Sequence, residues 1–199
     1  MTMVLVVCTG NVCRSPIAEG LLRAAFADRM GPDVPEDVPE VVSAGTMGWT
    51  GSGAHPSSIR AAAERGVDIS GHRAREVSEE DVARAELIVA MAPEHADAFA
   101  GEASSRTFTL KELVRLLEAL PAVEDAPVGR LSERIAEADR LRREGFEGDP
   151  MDEGIADPLG MPLDAFRAVA AELDAWCSRL ADGLVGRTHV RAAPGSTGS

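Results

Sequence analysis

Short unbroken apolar runs alternate along this chain with longer stretches in which apolar residues recur every three or four positions. The runs are residues 3–8 (Met-Val-Leu-Val-Val-Cys), 41–45 (Val-Val-Ser-Ala-Gly), 87–91 (Leu-Ile-Val-Ala-Met) and 107–110 (Thr-Phe-Thr-Leu). A strand covered on both faces reads as such a run, so each predicts a strand of a parallel sheet. Residues 16–29 predict a helix, with Ser15 as N-cap and Pro16 at its first position. His55–Gly66 predicts another, and Ser78-Glu79-Glu80-Asp81 resembles a capping box opening a short helix through Ala85. Further helices are expected from about Pro93 and over Lys111–Leu120. Pro162–Val185 predicts a long amphipathic helix carrying Phe166, Val169, Leu173, Trp176 and Leu180 as its apolar stripe. Together these elements predict one α/β domain over residues 1–185, a four-stranded parallel sheet with helices on both faces. Ligands of such sheets bind beyond the carboxyl ends of the strands, where Cys8, Ser43 and Met91 fall.

Other segments break the pattern. Residues 31–40 carry three prolines and predict a loop, and Thr46–Ala54 is a glycine-rich loop around Trp49. Within residues 121–150, a charged amphipathic helix over Leu131–Glu144 lies between two loops, which reads as a surface insertion rather than a second domain. Residues 186–199 lack periodicity and end in Pro-Gly-Ser-Thr-Gly-Ser, so a disordered tail is expected.

Composition narrows the function classes. With 45% hydrophobic and 27% charged residues in 199, the chain is of the ordinary globular kind. Its net charge of −13 argues against a nucleic-acid or anionic-membrane partner, so any phosphate must be captured by local geometry. No apolar stretch approaches the ~20 residues of a membrane span, and Met1 leads into a core strand rather than a secretion signal. Three cysteines (Cys8, Cys13, Cys177) make no disulfide framework and suit a reducing cytoplasm. The four histidines (55, 72, 95, 189) show no ligand spacing, so neither a metal nor another cofactor is expected. Nothing in the sequence specifies an oligomeric state.

Candidate chemistry concentrates just after the first run. Cys8-Thr9-Gly10-Asn11-Val12-Cys13-Arg14-Ser15-Pro16 joins a buried strand to a helix start. So short a connection must wrap tightly, with backbone N–H groups pointing inward and a helix N-terminus at its floor, which makes an anion-binding nest. A cysteine at that place ionises readily, because helix N-termini and arginine both favour the thiolate. The loop therefore offers a nucleophile and a seat for a tetrahedral oxyanion together.

That loop resembles the phosphate loop of the low-molecular-weight protein tyrosine phosphatase family almost residue for residue. Ser43-Ala44-Gly45-Thr46, His72-Arg73-Ala74-Arg75 and Asp157-Pro158 follow in the family's order, so the likeness covers roughly residues 3–120 and 154–185. The resemblance implies that Cys8 attacks phosphorus to give a cysteinyl-phosphate which water hydrolyses. It implies that Arg14 and the loop N–H groups of Thr9, Gly10, Asn11, Val12 and Cys13 hold the phosphate oxygens. Ser15 would hydrogen-bond the Cys8 thiolate, and Asn11 would brace the loop through Ser43 and His72. Read alone, His72 also fits an ordinary surface position. Asp157 would be the general acid, with Pro158 keeping its segment extended. Asp149, Asp152, Glu153 and Asp164 lie close by, so this assignment comes from the resemblance.

Two features bear on the substrate. Many tyrosine phosphatases of this family carry aromatics after the Asp-Pro pair, whereas here Leu159, Gly160 and Met161 follow and the chain contains no tyrosine. Trp49 and Leu159 are then the candidate pocket walls. The Asp-Pro-x-Gly form and Thr107-Phe108-Thr109-Leu110-Lys111-Glu112 look more like the family's phosphoarginine-specific members. Those relatives carry a hydroxyl residue where Val12 stands. The Val12 argument favours phosphotyrosine-type monoesters, in a phosphorylated protein or a small molecule. Protein arginine phosphatase and thiol-dependent arsenate reductase are the enzymatic alternatives. A phosphate-loop binding module, or a redox sensor using Cys8 and Cys13, is the non-enzymatic one.

Overall fold

Four strands form where the apolar runs predict them: β1 Met3–Cys8, β2 Glu40–Gly45, β3 Leu87–Ala90 and β4 Thr107–Thr109. All pairings are parallel, in the order β2-β1-β3-β4. The computed structural model describes residues 2–30, 38–99, 101, 103–122, 131–146 and 152–186. Residues 187–199 of the tail expected over 186–199, and parts of the loops expected over 31–40 and 121–150, lie outside the described residues.

Alternation along β1 explains why its run is unbroken. Val4, Val6 and Cys8 enter the main core with Phe26, Phe108, Phe166 and Leu173. Met3, Leu5 and Val7 enter a smaller core on the other face with Ile88, Phe99 and Ala103. The helices are α1 Arg14–Met30, α2 Pro56–Ala63, α3 Glu79–Arg84, α4 Pro93–Asp97, α5 Leu110–Ala119, α6 Leu131–Arg143 and α7 Leu163–Val185. The Ser78 capping box forms with Asp81, and Thr109 with Glu112 caps α5, so Leu110 opens that helix rather than closing β4. Leu131, Ile135 and Ala138 of α6 are buried in the main core. Arg134 of the same helix donates to the carbonyls of Gly183 at 3.0 Å and Pro121 at 3.0 Å. No helix among the described residues is long and apolar enough to cross a membrane.

Two helices depart from expectation: α2 ends at Ala63 rather than near Gly66, and α1 starts early. The helix begins at Arg14, so Ser15 lies within its first turn and is not the N-cap. Pro16 is tolerated there because first-turn N–H groups have no partner inside a helix. The earlier start turns the Ser15 side chain under the loop instead of leaving it at the helix mouth.

Candidate active site

β1 delivers Cys8 to the centre of the sheet's carboxyl edge, and five residues link it to Arg14 at the head of α1. Five consecutive carbonyls of this turn accept hydrogen bonds from outside it. Thr46 N–H donates to Cys8 O at 2.9 Å, Met47 N–H to Thr9 O at 3.0 Å and Trp49 N–H to Gly10 O at 3.1 Å. His55 N–H donates to Val12 O at 2.8 Å, and His72 Nε2 donates to Asn11 O at 2.8 Å. In a planar trans peptide the C=O and the next N–H point opposite ways, so carbonyls held outward turn the amides of residues 9–13 inward. That makes the expected nest. The bracing segment must come very close: a Cβ at Gly45 would lie 2.4 Å from Thr9 O, and one at Gly48 would lie 2.2 Å from Arg75 O.

Asn11 takes the left-handed conformation at φ 56, which asparagine tolerates better than most residues. Its buried side chain uses three hydrogen bonds. Nδ2 donates to Ser15 Oγ and to Ser43 Oγ, each at 2.9 Å, and Oδ1 accepts from Arg75 N–H at 3.0 Å. Ser43 in turn donates to Glu19 Oε2 at 2.6 Å. Ser15 Oγ lies 2.9 Å from Cys8 Sγ. Because that oxygen already accepts from Asn11, its own proton can face the sulfur whenever Cys8 is a thiolate. Sequence reasoning named Asn11, Ser43 and His72 together, and the structure brings them together. It did not find Glu19, an acid on α1 with no motif of its own, or the Arg75 amide, since a backbone partner carries no residue signature.

Arg14 is buried, with Nη1 on Ile155 O at 3.1 Å and Nη2 on Asp157 Oδ2 at 2.8 Å. Its buried Nε has no partner among the described residues. Asp157 is 48% exposed at the side chain and also accepts from Leu159 N–H at 3.1 Å. The neighbouring acids are engaged elsewhere: Asp152 with Lys111, Glu153 with Arg115 and Thr109, and Asp164 with Arg167. Asp149 lies outside the described residues. Of the described acids in that stretch, Asp157 is the one paired with Arg14.

Thr9 Oγ1 lies 2.9 Å from Nε2 of buried His95, a neighbour that sequence reasoning did not assign to the site. Burial, and after it the charge of Arg14, push the His95 pKa down, which keeps the ring neutral beside an anion site. Burial pushes the Cys13 thiol up to about 11. Val12 is only 6% exposed and belongs to the main core. Trp49 lies against Gly10, where an added Cβ would be 3.4 Å from the indole, and is 49% exposed. Leu159 on the Asp157 segment is 43% exposed. Among the described residues no cluster of His, Cys, Asp and Glu could hold a metal ion.

A strand–loop–helix cradle holding a cysteine and an arginine defines the class of thiol-based phosphate-loop proteins. The family profile described as "Low molecular weight phosphotyrosine protein phosphatase" matches residues 3–128. The chain belongs to this family. It is 32% identical to a protein-arginine-phosphatase of Geobacillus stearothermophilus over 184 residues, 91% of this chain and 95% of that protein. To the probable low molecular weight protein-tyrosine-phosphatase EpsP of Ralstonia solanacearum it is 44% identical over 88 residues, 44% of this chain and 54% of EpsP. The chain thus aligns with about half of EpsP. The fold is similar to that of the YwlE arginine phosphatase from G. stearothermophilus, with TM-score 0.65, 30% identity and coverage of 92% and 93% of the two chains. It is equally similar to a low molecular weight protein tyrosine phosphatase from T. tengcongensis, with TM-score 0.66, 31% identity and coverage of 92% and 100%. Fold alone therefore does not choose the substrate.

Proposed function

We propose that this protein is a cysteine-dependent protein phosphatase whose substrate is phosphoarginine. The convergence of Cys8, Ser15, Arg14 and Asp157 around one inward-facing loop carries the reaction class. An incoming phosphoryl group takes the Arg14 fork and the loop amides, displacing Asp157 from Nη2 toward the leaving group. Cys8 sulfur attacks phosphorus, the bond to the leaving nitrogen or oxygen breaks, and Asp157, having taken a proton from solvent on leaving Arg14, passes it to that atom. Asp157, now a carboxylate, takes a proton from water as the water oxygen attacks phosphorus. The S–P bond breaks, phosphate leaves and the Cys8 thiolate is restored, steadied by the Ser15 hydroxyl.

The choice of phosphoarginine replaces the phosphotyrosine expectation drawn from Val12. That argument rested on an apolar side chain standing where the phosphoarginine-specific relatives carry a hydroxyl, yet Val12 is 6% exposed and offers a leaving group little surface. The mouth carries Trp49 but a leucine at 159, and a missing second aromatic wall weakens the grip on a phenyl ring by ~0.5–1.5 kcal/mol, roughly 2- to 12-fold. A sequence relative matched over nearly its whole length is named a protein-arginine-phosphatase, which supports the same choice. An acidic chain also suits a cationic guanidinium.

The test is a panel of matched phosphoarginine and phosphotyrosine peptides, with arsenate plus a thiol as a third arm. Higher kcat/KM on phosphoarginine, abolished in Cys8→Ser, is the expected result. Preference for phosphotyrosine would restore the Val12 argument, arsenite release would indicate a reductase, and no turnover would indicate a binding module or redox sensor.

A further inference from the structure

The sole lysine of the chain, Lys111, is only 3% exposed. Burying an ammonium is costly unless carboxylates surround it, and here two do. Lys111 Nζ lies 2.6 Å from Asp152 Oδ1 and 2.7 Å from Glu172 Oε1 on α7. One turn further along α5, Arg115 pairs with Glu153 and donates to the Asp152 carbonyl at 3.0 Å. Thr109, the N-cap of α5, donates to the other Glu153 oxygen at 2.8 Å. Trp176 of α7 backs this group, its ring 5.8 Å from Lys111 Nζ and 5.8 Å from the Arg115 guanidinium. Burial works against the Lys111 charge, yet its two carboxylate partners hold the pKa above the ordinary lysine value, so the ammonium persists.

Asp152 and Glu153 root the segment that carries Asp157. Two residues beyond them, Ile155 N–H donates to Met91 O at 2.7 Å and Ile155 O accepts from Arg14 at 3.1 Å. With the root gripped by α5 and the middle tied to β3 and Arg14, the Asp157 side chain swings from a fixed base. Exposed ion pairs suffice for holding a surface loop. A buried cation with two carboxylates, beside a second cation on the next two acceptors, instead specifies one position.

We propose that Lys111 and Arg115 are positioning residues for the Asp157 carboxyl group, setting where it meets the leaving atom. This rests on Asp157 as the proton donor. A misplacement of about 1 Å can cost ~10²-fold in rate, and the loss should fall on steps that need the proton. Phenyl phosphate needs a protonated leaving group far more than p-nitrophenyl phosphate does.

The experiment measures kcat on these two esters, and inhibition by inorganic phosphate, for wild type, Lys111→Met, Lys111→Arg, Arg115→Met and Asp157→Asn. Lys111→Met and Arg115→Met should lose roughly 10- to 100-fold on phenyl phosphate and only ~2- to 3-fold on the nitrophenyl ester, with phosphate inhibition unchanged. Lys111→Arg should recover most of the loss, and Lys111→Met should add nothing in the Asp157→Asn background. Equal losses on both esters, or weaker phosphate inhibition, would mean a merely structural role and overturn the proposal. Should Lys111→Met not fold, Asp152→Ala removes the same grip from its exposed end and is judged by the same criteria. Asp157→Asn separates the two ideas. If its own losses are equal on both esters, the proton-donor reading falls and this proposal with it. If they are selective while those of the Lys111 and Arg115 variants are not, this proposal falls alone.

Discussion

Replacing Asn11 by alanine removes three buried hydrogen bonds at once, those to Ser15, Ser43 and the Arg75 amide. At ~0.5–1.5 kcal/mol each, they amount to about 1.5–4.5 kcal/mol. Alanine must also hold a φ of 56, which for an ordinary L-residue adds ~1–2 kcal/mol. The total, ~2.5–6.5 kcal/mol, lowers the melting temperature by roughly 5–26 °C in a domain of this size. Asn11→Gly loses the same hydrogen bonds without the φ penalty, so it should melt above Asn11→Ala by an amount equivalent to ~1–2 kcal/mol. Activity should fall with stability, because the inward amides are aligned by the same brace and lost oxyanion donors cost up to ~10²–10³ in rate. Thermal unfolding by circular dichroism and p-nitrophenyl phosphate turnover read the two effects. A melting point for Asn11→Ala within about 2 °C of wild type would refute the brace. A glycine variant less stable than the alanine one would refute the backbone part of the reasoning.

Alkaline pH should destabilise the fold through its buried thiols. Burial raises Cys177 from 9.0 to about 12 and Cys13 to about 11, so both stay protonated in the native state while unfolded thiols ionise. The stability these groups supply is full below about pH 9 and is lost as pH rises toward 11–12, by up to ~1.4 kcal/mol per pH unit per thiol. Urea unfolding of Cys177→Ala across pH 8–11 should show a flatter fall than wild type, and parallel curves would contradict the account. Leu159→Tyr adds the second aromatic wall and should raise kcat/KM on phosphotyrosine peptides roughly 2- to 12-fold. No gain there would mean that residue 159 does not face the substrate.

The sheet was legible because β1 and β3 are covered on both faces, which leaves no polar position in the pattern. Capping chemistry at Ser78 and Thr109 is equally local, and both boxes form. The two-residue error at the start of α1 has the opposite origin. Ser15-Pro16 is a good helix opening by composition, but closing the loop around an inward amide ring draws Arg14 into the helix. Cys8, Arg14 and Ser15 could be found by spacing within one turn. The neutral His95 beside Thr9 could not, since it comes from a helix more than eighty residues on and has no motif of its own. Val12 shows a related limit of the sequence: its polarity is visible there and its burial is not.

The two parts of the site lie far apart in synthesis. Cys8 and Arg14 are made well before Asp157 and the α7 helix. Arg29 on α1 waits for Asp182 and Ser178, 153 and 149 positions later, to satisfy its guanidinium. Until α7 arrives, the apolar side of α1 that carries Leu22 and Phe26 has no cover from Phe166 or Leu173. Contacts this distant along the chain make for slow closure and a nascent chain in need of protection from aggregation. The same order ties competence to completion. Under the proposed mechanism, a stalled or truncated chain ending before residue 157 would carry Cys8 with neither Asp157 nor a finished core, so quality control on the fold is also quality control on the site.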